Sequence, residues 1–280
     1  MERNIEFESK LFGKTIKIYV YDAPAQIVSD LYPQIYEKAK YLQLIFNFFD
    51  DKSELSQLNK KRNIVASSEL LTVISQAINY CKLSNGNYDI SLGKQILARK
   101  QKKELPVVSC TYKDIVINNN EISLTHPDVL IDLSSIAKGF IVDKLSDYMR
   151  EIGLESFFID ARGDMLAVGS HTEEVTIQHP REPKKTLHNF TLQNSAVATS
   201  GDYLQYDKDF SKSHILGKTD LISVTVIAPT AMQADGLASV FFLSPLHLRK
   251  EIAAQNSHCK ILTIDGNLQE LSFNDFIRRI

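Results

Sequence analysis

Apolar side chains recur along the chain with two periods, one typical of strands and one typical of helices. Residues 15–21 alternate apolar and polar side chains and are rich in β-branched and aromatic types, which predicts a strand. In the next stretch, which ends at residue 49, Ile35 and Ala39 begin a series at helical spacing. A helix is therefore predicted there, starting at Pro33.

The same two patterns continue to the end of the chain, with turn residues between them. Gly153 ends one helical stretch, and Pro229 ends the clearest strand. Further strands are predicted at residues 113–117, 121–124, 129–133, 156–160, 164–168, 175–178, 188–192, 223–228 and 260–264. Further helices are predicted at residues 67–83, 134–152, 231–242 and 246–254. Because these elements alternate without a strict βαβ rhythm, we expect an α+β fold. It would be a single interwoven domain over residues 1–280, with mixed, largely antiparallel sheets and packed helices.

Composition narrows the class of protein. With 280 residues, 44% of them hydrophobic, the chain is long enough to bury a large core. The net charge of −2 gives no field for a polyanion, so nucleic acid is not expected as a partner. The dense basic run at residues 99–103 is interpreted as a solvated helix end or loop. The three cysteines have long spacings, so we expect buried thiols rather than disulfides or a zinc site.

Hydropathy bears on localisation. No stretch approaches the length of an uninterrupted membrane span, and the N-terminus lacks the apolar segment of a signal peptide. The chain as written is therefore expected to have no transmembrane segment and to be cytoplasmic. The alternative is an exported or membrane-anchored protein whose leader is absent from this chain, since a mature form has the same features.

Two segments that lie far apart in the sequence carry the richest chemistry. The first reads Asp-Leu-Ser-Ser-Ile-Ala-Lys-Gly from Asp132, and the second reads Ala-Asp-Gly-Leu-Ala-Ser and ends at Ser239. Carboxylates, hydroxyls and bare carbonyls are hard oxygen donors, the ligands that Mg²⁺ prefers beside a phosphate. The pattern predicts a metal-assisted site for a phosphate-containing molecule. Alternatively, Asp235 only polarises the first turn of its helix.

Short motifs follow one another along nearly the whole chain. They are Phe-Gly-Lys-Thr from Phe12, Ser-Glu-Leu-Ser-Gln-Leu-Asn from Ser53, Ser-Asn-Gly-Asn-Tyr-Asp from Ser84, Asp-Leu-Ser-Ser-Ile-Ala-Lys-Gly-Phe from Asp132, Thr-Ser-Gly-Asp-Tyr from Thr199, His-Ile from His214 and Ala-Asp-Gly-Leu-Ala-Ser from Ala234. In this order they resemble the motifs of the FAD:protein FMN transferases, which attach FMN covalently to threonine in a partner protein. The resemblance implies Mg²⁺ as cofactor, FAD as substrate, and an acceptor protein with a Thr or Ser hydroxyl as partner.

The resemblance also implies roles for individual residues. Asp235 and Ser239 are expected to bind the metal through their side chains, and Ser135 and Ala238 through backbone oxygens. Asp235 is thereby a catalytic residue. His214 is expected to act as the general base or to orient the acceptor, because an imidazole titrates near neutrality; a solvated loop histidine is the alternative. The residues expected to contact FAD are Phe12, Asn87, Tyr88, Asp89, Asp132, Lys138, Asp164 and Ile215.

The chain departs from the family's motifs at several positions. Tyr88 stands where phenylalanine is usual, and Ser239 replaces a threonine, which keeps the hydroxyl. Arg162 enters a turn that is usually Gly-Gly-Asp, where it either clashes or pairs with a phosphate. The Asp-Pro pair expected after the His214 motif is missing. Three alternatives to transfer therefore stay open: an FAD pyrophosphatase that yields FMN and AMP, a non-catalytic FAD-binding protein, or a hydrolase acting on another pyrophosphate.

Overall fold

The computed structural model describes residues 5–11, 14–202 and 219–276, the side chains of residues 5–15 excepted. Within these ranges the chain forms seven α-helices and thirteen strands. The expected α+β class is confirmed. Among the same residues, no helix is both long and apolar enough to cross a membrane.

The elements are distributed along the whole described chain. The strands are β1 (Ile5–Leu11), β2 (Lys14–Val20), β3 (Asn63–Val65), β4 (Ile115–Asn118), β5 (Glu121–Leu124), β6 (Phe157–Asp160), β7 (Met165–Val168), β8 (Glu173–Gln178), β9 (Thr186–Leu192), β10 (Ser195–Gly201), β11 (Leu221–Ala228), β12 (Lys260–Asp265) and β13 (Glu270–Phe273). The helices are α1 (Ala25–Phe46), α2 (Glu54–Lys61), α3 (Ser68–Leu83), α4 (Gly93–Lys100), α5 (Ala137–Glu151), α6 (Ala231–Leu243) and α7 (Leu246–Gln255).

One large sheet organises the molecule. Its strand order is β1-β2-β6-β7-β10-β11-β12-β13, and all neighbouring strands run antiparallel. Helix α6 packs on β10 and β11 and also contacts α5 and α3. Its residues are apolar or small on nearly all sides, and most are buried. A helix in this position carries any polar group it bears, such as Asp235, into the interior of the fold.

Two smaller sheets complete the strand set of the described residues, in the orders β3-β5-β4 and β8-β9. The strand expected at residues 129–133 is wrong, because only Leu130 forms a bridge, a parallel one with Leu92. The backbone of Ile131 is instead bound by a side chain: Asn59 Nδ2 donates to its oxygen (2.9 Å) and Asn59 Oδ1 accepts from its amide (2.8 Å). The amides of Leu130 and Asp132 donate to the backbone oxygens of Ser91 and Ile90, so the run pairs with a loop rather than with a strand.

The first helix differs from its prediction at its start. Pro33 was expected in the first turn, where its missing amide costs nothing, but α1 begins eight residues earlier and Pro33 lies inside it. Val28 is buried together with Ile35, so the apolar face continues across the proline. Burial of that face outweighs the local preference of proline for a helix start. The three cysteines are free and buried, as expected.

Candidate active site

The first turns of α5 and α6 are in direct contact, and a glycine makes the contact possible. A Cβ atom on Gly139 would lie 2.3 Å from the backbone oxygen of Ala231 and 2.7 Å from the Cα of Met232. A side chain at this position would push the helices apart. The amide of Gly139 donates a hydrogen bond of 3.1 Å to Oδ2 of Asp235. The two segments that the sequence singled out therefore meet here.

Asp143, one turn further along α5, fixes the start of α6. Its Oδ1 accepts a hydrogen bond from the amide of Ala231 (2.7 Å), and its Oδ2 accepts one from the amide of Met232 (2.9 Å). These amides have no partner within their own helix. Burial raises the pKa of Asp143 to about 6, although both hydrogen bonds favour the charged form. Sequence reasoning missed this role; the only available signal was that a helix starting at Ala231 needs acceptors for its first amides.

Two buried carboxylates and an ammonium group lie beside this contact. Asp235 is 7% exposed and Asp164 is 2% exposed, and Lys138 forms an ion pair with Oδ2 of Asp164. Burial, followed by the charge of Asp164, raises the pKa of Asp235 to about 8. Burial alone would lower the pKa of Lys138, but the charges of Asp164 and Asp235 raise it overall. The fold thus brings together three of the residues predicted at the site, namely Asp235, Asp164 and Lys138.

Ser239 and Ala238 lie on α6 close to Asp235. Oγ of Ser239 lies 3.1 Å from Oγ of Ser200 on β10, and Ala238 is fully buried. Ser200 belongs to the Thr-Ser-Gly motif, so this contact brings a third motif to the same helix. The sequence alone gives no signal of a function for Ser200.

Ser135 lies in the turn before α5 and contacts the other turn that resembles the family. The hydroxyl of Tyr88 and Oγ of Ser135 form a hydrogen bond of 2.8 Å. Tyr88 is 4% exposed, and burial raises the pKa of its hydroxyl well above the ordinary value. The hydroxyl is therefore neutral at physiological pH and available for hydrogen bonding.

Asp132 is buried at 4% exposure and has two partners. Its Oδ1 accepts a hydrogen bond from the amide of Ser134 (2.7 Å), and its Oδ2 lies 3.5 Å from Nζ of Lys100. The same ammonium group lies 5.6 Å from the centre of the Phe49 ring, and Phe49 is 69% exposed. Lys100 belongs to the basic run interpreted as a solvated helix end. One member of that run in fact contacts a candidate site residue.

The turn with Asn87 and Asp89 is held by its own polar side chains. Asn87 Nδ2 donates to the backbone oxygen of Ser84 (2.7 Å). Asp89 accepts from the amides of Ser91 (2.8 Å, Oδ1) and Tyr112 (2.9 Å, Oδ2). These contacts fix the shape of the turn. That the turn also contacts FAD stays a prediction.

Three residues expected at the site lie outside the described ranges: Phe12, His214 and Ile215. Their roles stay predictions. The described residues that flank the His214 motif are held by arginines. Arg181 donates two hydrogen bonds, of 2.7 and 2.9 Å, to the buried carboxylate of Asp202, and the buried Arg249 donates to Oδ2 of Asp220 (3.1 Å).

The groups at the contact between α5 and α6 fit a divalent cation. Two carboxyl groups face one ammonium group, and because the pKa of Asp235 is raised to about 8, its carboxyl binds a proton near neutral pH that a divalent cation would displace. Oδ2 of Asp164 has an ion pair with Lys138 but no partner with hydrogen-bond geometry. No three His, Cys, Asp or Glu side chains converge among residues 5–11, 14–202 and 219–276. Further donors would therefore be hydroxyl and backbone oxygens, which suit Mg²⁺.

The sequence is similar to that of known proteins over most of its length. The model of the ApbE family matches residues 12–263. The FAD:protein FMN transferase of Haemophilus influenzae is 26% identical over 298 positions, which cover 93% of this chain and 86% of that protein. The protein of the same name from Vibrio cholerae is 27% identical over 217 positions, which cover 67% of this chain and 65% of that protein.

Solved structures have the same fold. The flavin transferase ApbE from Vibrio cholerae superposes with a TM-score of 0.79 at 22% identity and covers 97% of both chains. The ApbE protein from Thermotoga maritima superposes with a TM-score of 0.82 at 22% identity, also over 97% of both chains. The fold expected from the motifs is therefore confirmed.

Proposed function

Because the chain belongs to the ApbE family, we propose that it transfers FMN from FAD to a Thr or Ser hydroxyl of a partner protein, with Mg²⁺ at the site and AMP released. The resemblance inferred from the motifs is confirmed, and so is the class of enzyme, a transferase of a phosphorus-containing group. The observation that carries the proposal is the contact between α5 and α6. There the buried Asp235 and Asp164 and the half-buried Lys138 form a cluster of ionisable groups.

The proposed reaction is a substitution at the FMN-side phosphorus of FAD. The acceptor oxygen forms a bond to that phosphorus, the pyrophosphate bond breaks, and AMP leaves with the bridging oxygen. The proton of the hydroxyl passes to a base. Negative charge grows on the non-bridging and leaving oxygens. Bound Mg²⁺ supplies positive charge that neutralises part of it; positioning and proton transfer fall to the protein.

We assign the cation to the side chains of Asp235 and Ser239 and to the backbone oxygens of Ser135 and Ala238. Support comes from the placement of Asp235 and Ser239 four residues apart on one buried helix. Lys138 has a raised pKa and therefore remains an ammonium group, so it can attract a phosphate oxygen as the cation does. The residues assigned to FAD are Phe12, Asn87, Tyr88, Asp89, Asp132, Lys138, Asp164 and Ile215.

We propose that His214 takes the proton of the attacking hydroxyl. An imidazole is half protonated near neutral pH, so it accepts and releases a proton under working conditions. It is the one histidine that falls within a family motif. The arginine pairs of Asp202 and Asp220 fix the described residues on either side of this motif.

The test is incubation with FAD and Mg²⁺, with and without an acceptor peptide of the Asp-x-x-Thr-Ser type. We expect the peptide to gain the mass of FMN and an equal amount of AMP to appear. Asp235→Ala should reduce both by about a hundredfold or more, since it removes a ligand of the cation. Asp147→Ala is the matched control, because it removes an exposed carboxylate from α5 and leaves the site intact.

Two outcomes would overturn the proposal. AMP release that does not depend on the acceptor, with no mass gain on the peptide, would identify an FAD pyrophosphatase. Saturable FAD binding without any AMP release would identify a binding protein. Both alternatives arise from the missing Asp-Pro pair after the His214 motif.

A further inference from the structure

Helix α5 begins without the usual side-chain cap. Its cap residue, Ile136, has φ −150° and ψ −30° and offers no side-chain hydrogen bond. The amides of Ile136 and Ala137 both donate to the backbone oxygen of Leu133, at 3.1 and 2.9 Å. Ser, Thr, Asp or Asn normally fixes a helix start by accepting an amide hydrogen bond. The turn before α5 therefore depends on contacts with other parts of the chain.

Tyr88 supplies one such contact. Its hydroxyl lies 2.8 Å from Oγ of Ser135, and its amide donates to Oγ of Ser84 (3.0 Å), which fixes its backbone. Its ring packs edge-on against Tyr80, with ring centres 6.5 Å apart. The tyrosine is 4% exposed, so its hydroxyl is held in place by a packed ring.

The same row of aromatic rings reaches α6. The ring of Tyr80 lies against Gly236, where a Cβ atom would be 2.2 Å from Cε2. Gly236 directly follows Asp235 in the sequence. Tyr80 and Tyr88 therefore connect the backbone of α6 to Ser135 through packed contacts.

The hydroxyls of Tyr88 and the half-buried Ser135 are each other's partner, and the hydroxyl of Tyr88 alone would be a buried polar group without one. We propose that Tyr88 is a positioning residue for the cation site, because its hydroxyl fixes Ser135 at the start of α5. The inference rests on the proposed function, in which Ser135 gives a backbone oxygen to the cation.

The test is a double-mutant cycle with Tyr88→Phe, Ser135→Gly and the double variant. Magnesium affinity is measured by calorimetry on the FAD-saturated protein, and hydrogen exchange is measured at residues 135–140 of the metal-free protein. Each single change should weaken Mg²⁺ binding about five- to tenfold and speed the exchange, with KM for Mg²⁺ rising more than kcat falls. The double variant should bind Mg²⁺ about as weakly as either single variant and no more weakly, because both single changes break the same hydrogen bond. Tyr80→Phe removes a neighbouring buried hydroxyl with a different partner and is the matched control; it should leave Mg²⁺ affinity unchanged.

The outcomes are distinguishable. If the parent binds Mg²⁺ and Tyr88→Phe binds it equally well, the positioning role is wrong while the proposed function stands. Losses that simply multiply in the double variant would also overturn it, since coupled groups are not additive. If the parent binds no Mg²⁺, both the cation site and the positioning role are wrong, whatever the exchange rates of the metal-free protein.

Discussion

At the scale of single residues, Lys100 is the strongest addition that the structure makes to the candidate site. Its ammonium group lies 3.5 Å from the buried carboxylate of Asp132 and over the exposed ring of Phe49. We assign Asp132 to the flavin. A lysine that balances the charge of this carboxylate fixes its position before the ligand arrives.

We predict that Lys100→Met weakens FAD binding about five- to tenfold, because Asp132 then has a buried charge without its cation. The change in kcat should be small, since neither group contacts the reacting phosphorus. Fluorescence titration of FAD checks the prediction. The neighbouring exposed lysine gives the control, Lys103→Met, which should bind FAD as the parent does. Equal or tighter binding by Lys100→Met would show that the lysine does not support the site.

Arg162 gives a second test at this scale. It has a φ of 59°, in the left-handed region, and Asp160 Oδ1 accepts hydrogen bonds from its amide (2.8 Å) and from that of Gly163 (3.2 Å). The clash considered for the arginine is not found, because its side chain is exposed. The strain lies in the backbone instead.

We predict that Arg162→Gly raises the free energy of unfolding by about 0.5–1 kcal/mol, because glycine adopts positive φ without a Cβ penalty. Urea denaturation measures the effect. Arg162→Ala keeps the strain and should show no gain, so an equal gain in both variants would refute the backbone explanation. A loss of FAD affinity in both variants would support the alternative in which the arginine pairs with a phosphate.

At the scale of elements, the attachment of α6 to α5 depends on Asp143. Its carboxylate accepts two hydrogen bonds from the first amides of α6, yet burial raises its pKa from 3.8 to about 6. Between pH 3.8 and about pH 6, the folded state therefore carries more of this proton than the unfolded state does. Stability from this group falls as the pH rises through that window and is constant above it.

We predict that the stability of the parent relative to Asp143→Asn falls on the order of 3 kcal/mol between pH 3.8 and pH 7. The comparison with asparagine removes the contribution of all other titrating groups, because asparagine does not titrate. Urea denaturation of both proteins at several pH values measures the difference. A relative stability that rises with pH would show that the two hydrogen bonds, rather than burial, determine the direction in which the pKa of Asp143 is shifted.

Periodicity predicted the helices better than the strands. The helix ending at Leu83 and the α6 and α7 helices were placed to within one or two residues, since each buries an apolar face of the expected spacing. Strands β1, β3 and β10 and helix α4 were missed. β10 reads Ser-Ala-Val-Ala-Thr-Ser-Gly, a weak strand pattern by composition. It is fixed by pairing with β7 and β11, which local sequence does not encode.

At the scale of the whole molecule, the sequence predicts the candidate site only in part, because it does not encode the contacts between distant segments. Motif order indicated that the Asp132 and Asp235 segments form one site, and the structure brings Gly139 of the first against Asp235 of the second. The role of Asp143 did not follow from any motif, because it depends on how two helices cross. Likewise, the charge run at residues 99–103 does not indicate that Lys100 lies beside Asp132, which only the fold brings about. Contacts between distant segments are set by packing, and a single sequence does not reveal them.

The whole molecule should also unfold as one unit. The larger of two clusters of buried apolar side chains among the described residues runs from Ile16 on β2 to Ile261 on β12 and includes Leu237 and Ala238 of α6. The interior that holds the candidate site is thus the interior that stabilises the fold. We expect one cooperative transition in calorimetry, as for a single domain.

Ligand binding then has a defined effect on that transition. FAD and Mg²⁺, each at about 100 times its dissociation constant, should together add roughly 5 kcal/mol, because each ligand contributes about 2.7 kcal/mol. For a chain of this size that shifts the single transition upward by about 10 °C or more. In Asp235→Ala, the part of the shift that requires Mg²⁺ should disappear, while the shift caused by FAD alone remains. Two separate transitions, or a shift confined to part of the heat signal, would contradict the single domain, because a shared core transmits the binding free energy to every element.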